Sequence, residues 1–350
     1  MENFRLLWQI NRMRQYLLRK GSTDMSSLEL LERDLPAPGP GQLLIRMHAA
    51  SLNFRDHAIV TGNYFGGVLK RDTVPLSDGA GEVVAIGQGV SRFAEGDRVI
   101  SNFFQGWIDG LPDPATTNAL GSPADGVLSE YVVLHENGVV RCPGHLSYEE
   151  AAALPCAGVT AWNALNVSGT VRAGQTVLVL GTGGVSMFAL QFARMSGARV
   201  IATSSSDEKL SRAAKLGATH TINYRTTPDW EQEVFGLTGG RGVDHVIEVG
   251  GAGTLAKSFA CVGFRGQVSL IGVLAGREGD TNPHALMLRN ARLVGIFVGS
   301  RAMFEQMNEA IAINGMRPVV DRVFPFEEAA DAYAYQLAGK HVGKVVIAIG

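Results

Sequence analysis

Apolar and polar positions follow two different patterns along this 350-residue chain. From residue 13 to about 146 the apolar runs are short and broken by Gly and Pro, as at 42–48, 81–86 and 97–100. That pattern predicts an all-β region. Residues 35–41 form a Pro/Gly turn cluster, and 105–126 read as loop. Ser147 and Glu150 have capping-box spacing at the start of an alanine-rich helix running toward Pro155. Beyond it the pattern changes. Candidate strands at 177–181, 199–203, 219–223, 243–249, 267–272 and 292–298 alternate with segments of helical spacing. Six strands separated by helices predict an α/β fold with a doubly wound parallel sheet. A helix over 301–314, a short helix around 327–337 and a strand over 343–349 follow. Residues 1–12 mix apolar and charged positions without a signal-peptide core, and read as an extension with no assigned role.

The segment 176–224 carries the strongest chemical signal. The apolar run Thr176-Val-Leu-Val-Leu180 passes directly into Gly181-Thr-Gly-Gly-Val-Ser186, then into apolar residues at helical spacing, and Gly197 stands where that helix would stop. This is a dinucleotide-binding layout. Gly181 permits a tight turn, and Gly183 lets the backbone approach a pyrophosphate. Gly184 and Val185 open a helix whose N-terminal N–H groups and dipole favour an anion. Ser186 replaces the third glycine but is small enough for close helix–strand packing. An NAD site places an acid about 20 residues on, to bind the ribose hydroxyls. Here Thr203, Ser204 and Ser205 occupy that place, with Lys209 close by and Tyr224 and Arg225 ending the third-strand segment. Hydroxyls and a cation suit a 2′-phosphate, so the cofactor read from these residues is NADP(H). Ser205 with Glu208 also has capping-box spacing for the next helix.

Composition narrows the setting. A formal net charge of −2 gives no electrostatic reason to expect nucleic acid or an anionic membrane as partner. No apolar run reaches the length of a membrane span. The three cysteines, 142, 156 and 261, suit a reducing compartment, and a cytoplasmic location is expected.

Further motifs carry a family resemblance over nearly the whole chain. They are Pro38-Gly-Pro-Gly41, Ser51-Leu-Asn-Phe-Arg-Asp56, Gly79-Ala-Gly-Glu-Val-Val84, Gly96-Asp-Arg-Val99, Cys156-Ala-Gly-Val-Thr-Ala-Trp162, Gly242-Val-Asp-His-Val-Ile247 and Gly343-Lys-Val-Val-Ile347. With the Gly181 loop, these resemble the medium-chain dehydrogenase/reductase superfamily of alcohol dehydrogenases and quinone oxidoreductases. The resemblance implies a discontinuous GroES-like catalytic domain, 13–146 and 301–350, around an inserted Rossmann domain, 147–300. It also implies a homodimer formed through the Rossmann sheet edge.

Departures from the zinc-dependent pattern shape the expected chemistry. The zinc-ligand positions of that pattern fall on Asn53, on Ser77-Asp78 and on Cys156. A catalytic zinc needs about three S, N or O protein ligands, and one cysteine cannot hold it, so no metal is expected. Cys156 reads as a small buried residue, and His48 and His57 as ordinary histidines. Asp56 and Asp78 read as carboxylates that tie turns together. Asn53-Phe54-Arg55-Asp56 resembles the metal-free, zeta-crystallin-like quinone oxidoreductase branch. By that resemblance Asn53 faces the nicotinamide and Tyr64 lines the substrate side, while Ala58 replaces a second tyrosine. Lys209 and Tyr224 match its 2′-phosphate contacts, Thr160 a threonine entering the cofactor cleft, and Lys344 a basic position near the pyrophosphate. Gly250, Gly251, Ile271, Gly272, Val273, Ile296, Phe297 and Val298 follow Rossmann strands where the nicotinamide half is held. The function expected is zinc-independent, NADP(H)-dependent reduction of a quinone or α,β-unsaturated carbonyl. The alternatives are an alcohol dehydrogenase or carbonyl reductase acting on simple substrates without metal, a zinc enzyme with unfamiliar ligands, and a non-enzymatic NADPH-binding protein.

Overall fold

The structure, a computed structural model, describes residues 12–276, 278–279 and 281–350. The N-terminal extension lies outside the described residues except for Arg12, which is the first residue of a strand.

The chain divides into two compact units. Unit 1 runs to Cys156 and resumes over Ser300–Gly350; unit 2 is Ala157–Gly299. The first division lies past residue 146, where the sequence reading drew it. The reason is that the Ser147-capped helix packs on unit 1 strands.

Unit 1 opens with an antiparallel hairpin, β1 (Arg12–Leu18) and β2 (Leu28–Asp34). β3 (Gln42–Ser51) then runs into α1 (Phe54–Val60), a helix the all-β reading missed. β4 (Asp78–Ile86), β5 (Arg98–Ser101), β6 (Tyr131–His135), β7 (Val139–Arg141) and α2 (Tyr148–Ala152) follow. Unit 2 contributes β8 (Thr176–Leu180), α3 (Gly184–Met195), β9 (Arg199–Ser204), α4 (Asp207–Lys215) and β10 (His220–Asn223). It continues through β11 (Val243–Glu248), β12 (Val262–Leu270) and β13 (Arg292–Gly295). Back in unit 1, a helix over Arg301–Asn314 leads to β14 (Val320–Pro325), a helix over Ala329–Leu337 and β15 (Lys344–Ala348).

In unit 1 the strand order is β14-β15-β3-β4-β5-β7, with β6 also paired to β3. β3 pairs with β4 along one edge and serves two partners along the other: residues 42–46 pair with β6, and 49–51 pair antiparallel with β15. Its last residue, Ser51, is opposite Val346 on one side and Asp78 on the other. Leu52 N–H still bonds Val345 O (3.0 Å), so the next step of this register sets Asn53 against Lys344. Leu43, Ile45, Val83, Val99, Val345 and Ile347 are buried in the core beneath this sheet.

In unit 2 the order is β10-β9-β8-β11-β12-β13, all parallel. Helices cover both faces of such a sheet, which is why β8 is apolar at every position after Thr176 and buried throughout. Each fully buried Val, Leu or Ile is worth about 1.5–3 kcal/mol, so the continuous runs anchor the sheet. The order reverses between β8 and β11, and ligands bind beyond the carboxyl ends of strands at such a switch point.

Candidate functional site

In unit 1 a buried polar cluster forms where β3, β4 and β15 meet. Asn53 is the N-cap of α1, and its backbone N–H donates to Asp56 Oδ2 at 2.6 Å, one arm of a capping box. The Asn53-x-x-Asp56 spacing was a legible signal for this missed helix. Asp78, 0% exposed, accepts from Ser77 Oγ (2.6 Å) and from Cys156 N–H (3.0 Å). Lys344, 3% exposed, donates to Asn53 Oδ1 (2.6 Å) and Leu52 O (2.5 Å), and its ammonium lies 3.8 Å from Asp78 Oδ2. The structure therefore brings Asn53 and Lys344 together and surrounds the ammonium with oxygen atoms of unit 1. Burial pushes the Asp56 carboxyl up to about 6, against the opposing pull of Arg55 and of the Asn53 N–H. Burial, reinforced by Asp78, pushes the Cys156 thiol well up, so the sulphur is a neutral thiol at neutral pH.

Arg55 is the residue that sequence reasoning overlooked here. Its guanidinium is buried and donates to Leu120 O and Ser122 O, both at 2.8 Å. It also lies over the rings of Tyr64 (5.0 Å) and Phe103 (4.7 Å). One side chain thus ties together the segment between β5 and β6 through Phe103, Leu120 and Ser122, and seats Tyr64. Tyr64 is partly buried. His48 stacks on Tyr148 with ring centroids 4.3 Å apart, and His57 lies on α1. Burial lowers the pKa of both histidines, favouring their neutral forms. Among the described residues, no group of three or more His, Cys, Asp or Glu side chains is placed to hold a metal ion.

In unit 2 the predicted cofactor residues gather at the carboxyl ends of the strands. Gly181 takes φ +72°, the left-handed conformation that the turn out of β8 requires. Gly183 caps α3 without a side-chain bond, and a Cβ at Gly181 or Gly183 would meet no protein atom within 4 Å. Packing inside the protein therefore does not demand these glycines. The open space over both leaves room for a ligand to approach the backbone closely, and the first-turn N–H groups of the twelve-residue α3 form a surface of the kind that suits a pyrophosphate. Ser186 Oγ donates to Leu180 O (2.6 Å), which satisfies the hydroxyl that stands in for the third glycine.

β9 extends to Ser204, and its parallel register with β10 puts Asn223 beside Ser204, with Tyr224 N–H bonded to Ser204 O (3.0 Å). Ser204, Ser205 and Tyr224 therefore share one strand-end surface, with Lys209 one turn into α4. The nearest acid, Asp207, accepts from Asn223 Nδ2 (2.8 Å). One expectation is corrected: Ser206, not Ser205, caps α4, its Oγ accepting from Lys209 N–H. The extra residue of β9 moves the helix start one step on and leaves Glu208 out of capping-box position.

At the other half of the sheet, Gly250 and Gly251 follow β11, residues 271–273 follow β12, and 296–298 follow β13. Glu248, fully buried and unremarked in the sequence, organises the first of these turns. Its Oε1 accepts from Gly250 N–H (2.7 Å), Gly251 N–H (3.0 Å) and Thr254 Oγ (2.6 Å), and its Oε2 from Ser258 Oγ. An acid two residues ahead of a Gly-Gly pair, at a strand end, was the available signal. Val298 is held at φ +52°, a strained conformation for a β-branched residue, while its carbonyl accepts from Asn163 Nδ2 (2.8 Å). Thr160 is buried on the helix over Val159–Trp162.

Comparison with known proteins places this geometry. Residues 39–144 match the alcohol dehydrogenase GroES-like domain, and 184–312 match the zinc-binding dehydrogenase domain. A zinc-type alcohol dehydrogenase-like protein of Schizosaccharomyces pombe is 47% identical over 343 residues, 96% of this chain and 99% of that one. The chain belongs to the medium-chain dehydrogenase/reductase superfamily. Within this superfamily it is also similar to human quinone oxidoreductase, at 28% identity over 89% of this chain and 91% of that one. A solved NAD-dependent alcohol dehydrogenase superposes with a TM-score of 0.87 at 35% identity, covering 97% of this chain and 100% of that one. Relatives in the medium-chain dehydrogenase/reductase superfamily are oxidoreductases that use nicotinamide cofactors.

Proposed function

We propose that this chain is an NADP(H)-dependent oxidoreductase that reduces a conjugated carbonyl, a quinone or an α,β-unsaturated ketone, without zinc. The observation that carries the reading is the Lys344 ammonium, 2.6 Å from Asn53 Oδ1 and 3.8 Å from Asp78. The zinc-ligand positions of the superfamily hold here a carboxamide, a hydroxyl beside a carboxylate, and a neutral thiol. A protein cation already neutralises them, and a dication beside it would be repelled. Residues 53, 77, 78 and 156 therefore do not fit a catalytic zinc.

NADPH, when bound, supplies a hydride. Gly181, Gly183 and the first turn of α3 hold its pyrophosphate; Ser205, Lys209 and Tyr224 hold the 2′-phosphate. Gly250, Gly251, residues 271–273 and residues 296–298 line the nicotinamide half, and Thr160 borders it. Reduction of a simple ketone concentrates negative charge on one oxygen, which a metal normally stabilises. A conjugated acceptor spreads that charge, so hydrogen-bond donors suffice, and Asn53 and Tyr64 are those donors. The carbon that becomes nucleophilic takes its proton from water, so enone, NADPH and one proton give saturated ketone and NADP+. The same reading includes a cytoplasmic homodimer paired through β13, an edge strand of the sheet with Leu293 partly exposed.

The test is a panel of acceptors followed at the NADPH absorbance band, with metal analysis of the same protein. 2-Cyclohexen-1-one and 9,10-phenanthrenequinone are expected to exceed cyclohexanone, and cyclohexanol with NADP+, in kcat/KM. Faster turnover of the saturated compounds, or one zinc per chain, overturns the reading.

A further inference from the structure

The oxygen of the Asn53 carboxamide is already occupied. An ammonium has donors only, so Lys344, bonded to Oδ1 at 2.6 Å, faces the oxygen end of the amide and never the NH2 end. The orientation of the amide is thereby decided. Its Nδ2 is a buried donor with no partner among the described residues, on a residue only 8% exposed. A protein leaves a buried donor unpaired at a cost, and most such groups have a ligand or a task to explain them. The lysine is equally constrained. The β3–β15 register delivers it opposite Asn53, Leu52 O holds a second N–H, and Asp78 supplies the countercharge. Asp78 is itself fixed by Ser77 Oγ and Cys156 N–H. A cation on Oδ1 also draws electron density from the amide nitrogen, and hydrogen bonds in such a chain strengthen one another.

We propose that Lys344 is a positioning residue that locks and polarises the Asn53 amide, so that Nδ2–H donates to the carbonyl oxygen of the acceptor, with Asp78 as the fixed countercharge. This rests on the reading of Asn53 as a substrate-side donor. It assigns Lys344 a different partner from the pyrophosphate that the family resemblance implied. The lysine then stands in for part of what a metal does. It delivers positive charge toward the developing oxyanion through an amide rather than by direct coordination.

The experiment compares wild type, Lys344→Met and the double variant Lys344→Met/Asp78→Asn, which carries no unpaired buried charge. Two readouts are taken. The first is the side-chain amide resonance of Asn53 in protein labelled with 15N at asparagine side chains, identified by its loss in Asn53→Asp. It is expected to move toward the position of a free asparagine amide in both variants; an unmoved resonance overturns the lock whatever the activity. The second is turnover of 2-cyclohexen-1-one with NADPH, alongside the NADPH dissociation constant from cofactor fluorescence. kcat is expected to fall about tenfold or more in both variants, with the dissociation constant within about twofold of wild type. Wild-type kcat in the double variant would show that Lys344 only neutralises Asp78, and overturns the proposal. A tenfold weaker NADPH complex with unchanged kcat would put Lys344 on the pyrophosphate and also overturns it. If wild type does not reduce the enone, the functional reading falls, while the amide resonance still decides the lock.

Discussion

At the carboxyl ends of β8, β9 and β10 the proposed cofactor surface is built from backbone turns and partly exposed side chains, Ser205, Lys209 and Tyr224, all within residues 181–224. Around Asn53 it is built from buried groups that share hydrogen bonds, drawn from residues 53, 56, 78 and 344. A strand–turn–helix surface is assembled locally, from residues close together in the chain. A buried polar cluster is assembled by sheet register, and its members depend on one another. Glu248 in unit 2 combines the two: its partners are local, residues 250–258, yet they are buried and share one carboxylate, so interdependence can be tested there first. Glu248→Ala leaves two buried backbone N–H groups unpaired, and is expected to cost about 3–5 kcal/mol in urea unfolding. A loss under about 1 kcal/mol would blur the distinction.

Asp56 probes the same interdependence through pH. Its usual value of 3.8 rises to about 6 in the folded protein. Below the lower value the carboxyl is protonated in both folded and unfolded chains. Between the two, the folded protein keeps a proton that the unfolded chain has released, so this group's contribution falls as pH rises and levels off above about 6. Two pK units correspond to about 3 kcal/mol. Asp56→Asn keeps an acceptor for Asn53 N–H and removes the charge. The variant is expected to match wild type at pH 4 and to exceed it by up to about 3 kcal/mol at pH 7.5. Parallel stability profiles for the two proteins would show that Asp56 is not buried as a charge.

Smaller effects are expected on the strand-end surface. Lys209→Ala should weaken NADPH by about 5–150-fold, the worth of one charge-assisted hydrogen bond of about 1–3 kcal/mol, and spare NADH. Equal weakening of both cofactors, measured by fluorescence titration, would remove Lys209 from the 2′-phosphate. Ser206→Ala should lower stability by about 1 kcal/mol and speed amide exchange in the first turn of α4. The same loss from Ser205→Ala instead would return the cap to Ser205.

What was legible divides along the same line. Six apolar runs and one glycine loop were enough to anticipate the parallel sheet, because strands buried on both faces must be apolar throughout. The strand-end residues followed, since their positions are counted from the loop. Lys344 against Asn53 was not legible, because the two are 291 positions apart and meet only through the β3–β15 pairing. Arg55 was missed for a related reason: its partners, Leu120 O and Ser122 O, are backbone carbonyls of a distant loop and leave no pattern in the chain. Ser206 was missed by a single residue, within the uncertainty of any strand end.

The place of β15 in unit 1 also bears on how the protein is made. β15 lies between β14 and β3, and it brings the lysine that completes the Asn53–Asp78 cluster. Between the two parts of unit 1 the ribosome must synthesise the whole of unit 2, residues 157–299. At about 5–20 residues per second that takes on the order of ten seconds. Through that interval β3 has an open edge over residues 49–51, and Asp78 waits without its cation. Unit 2 holds all of its own strands as soon as it emerges. The nascent chain should therefore acquire cofactor affinity before turnover, and its first half is where a holding chaperone would be needed.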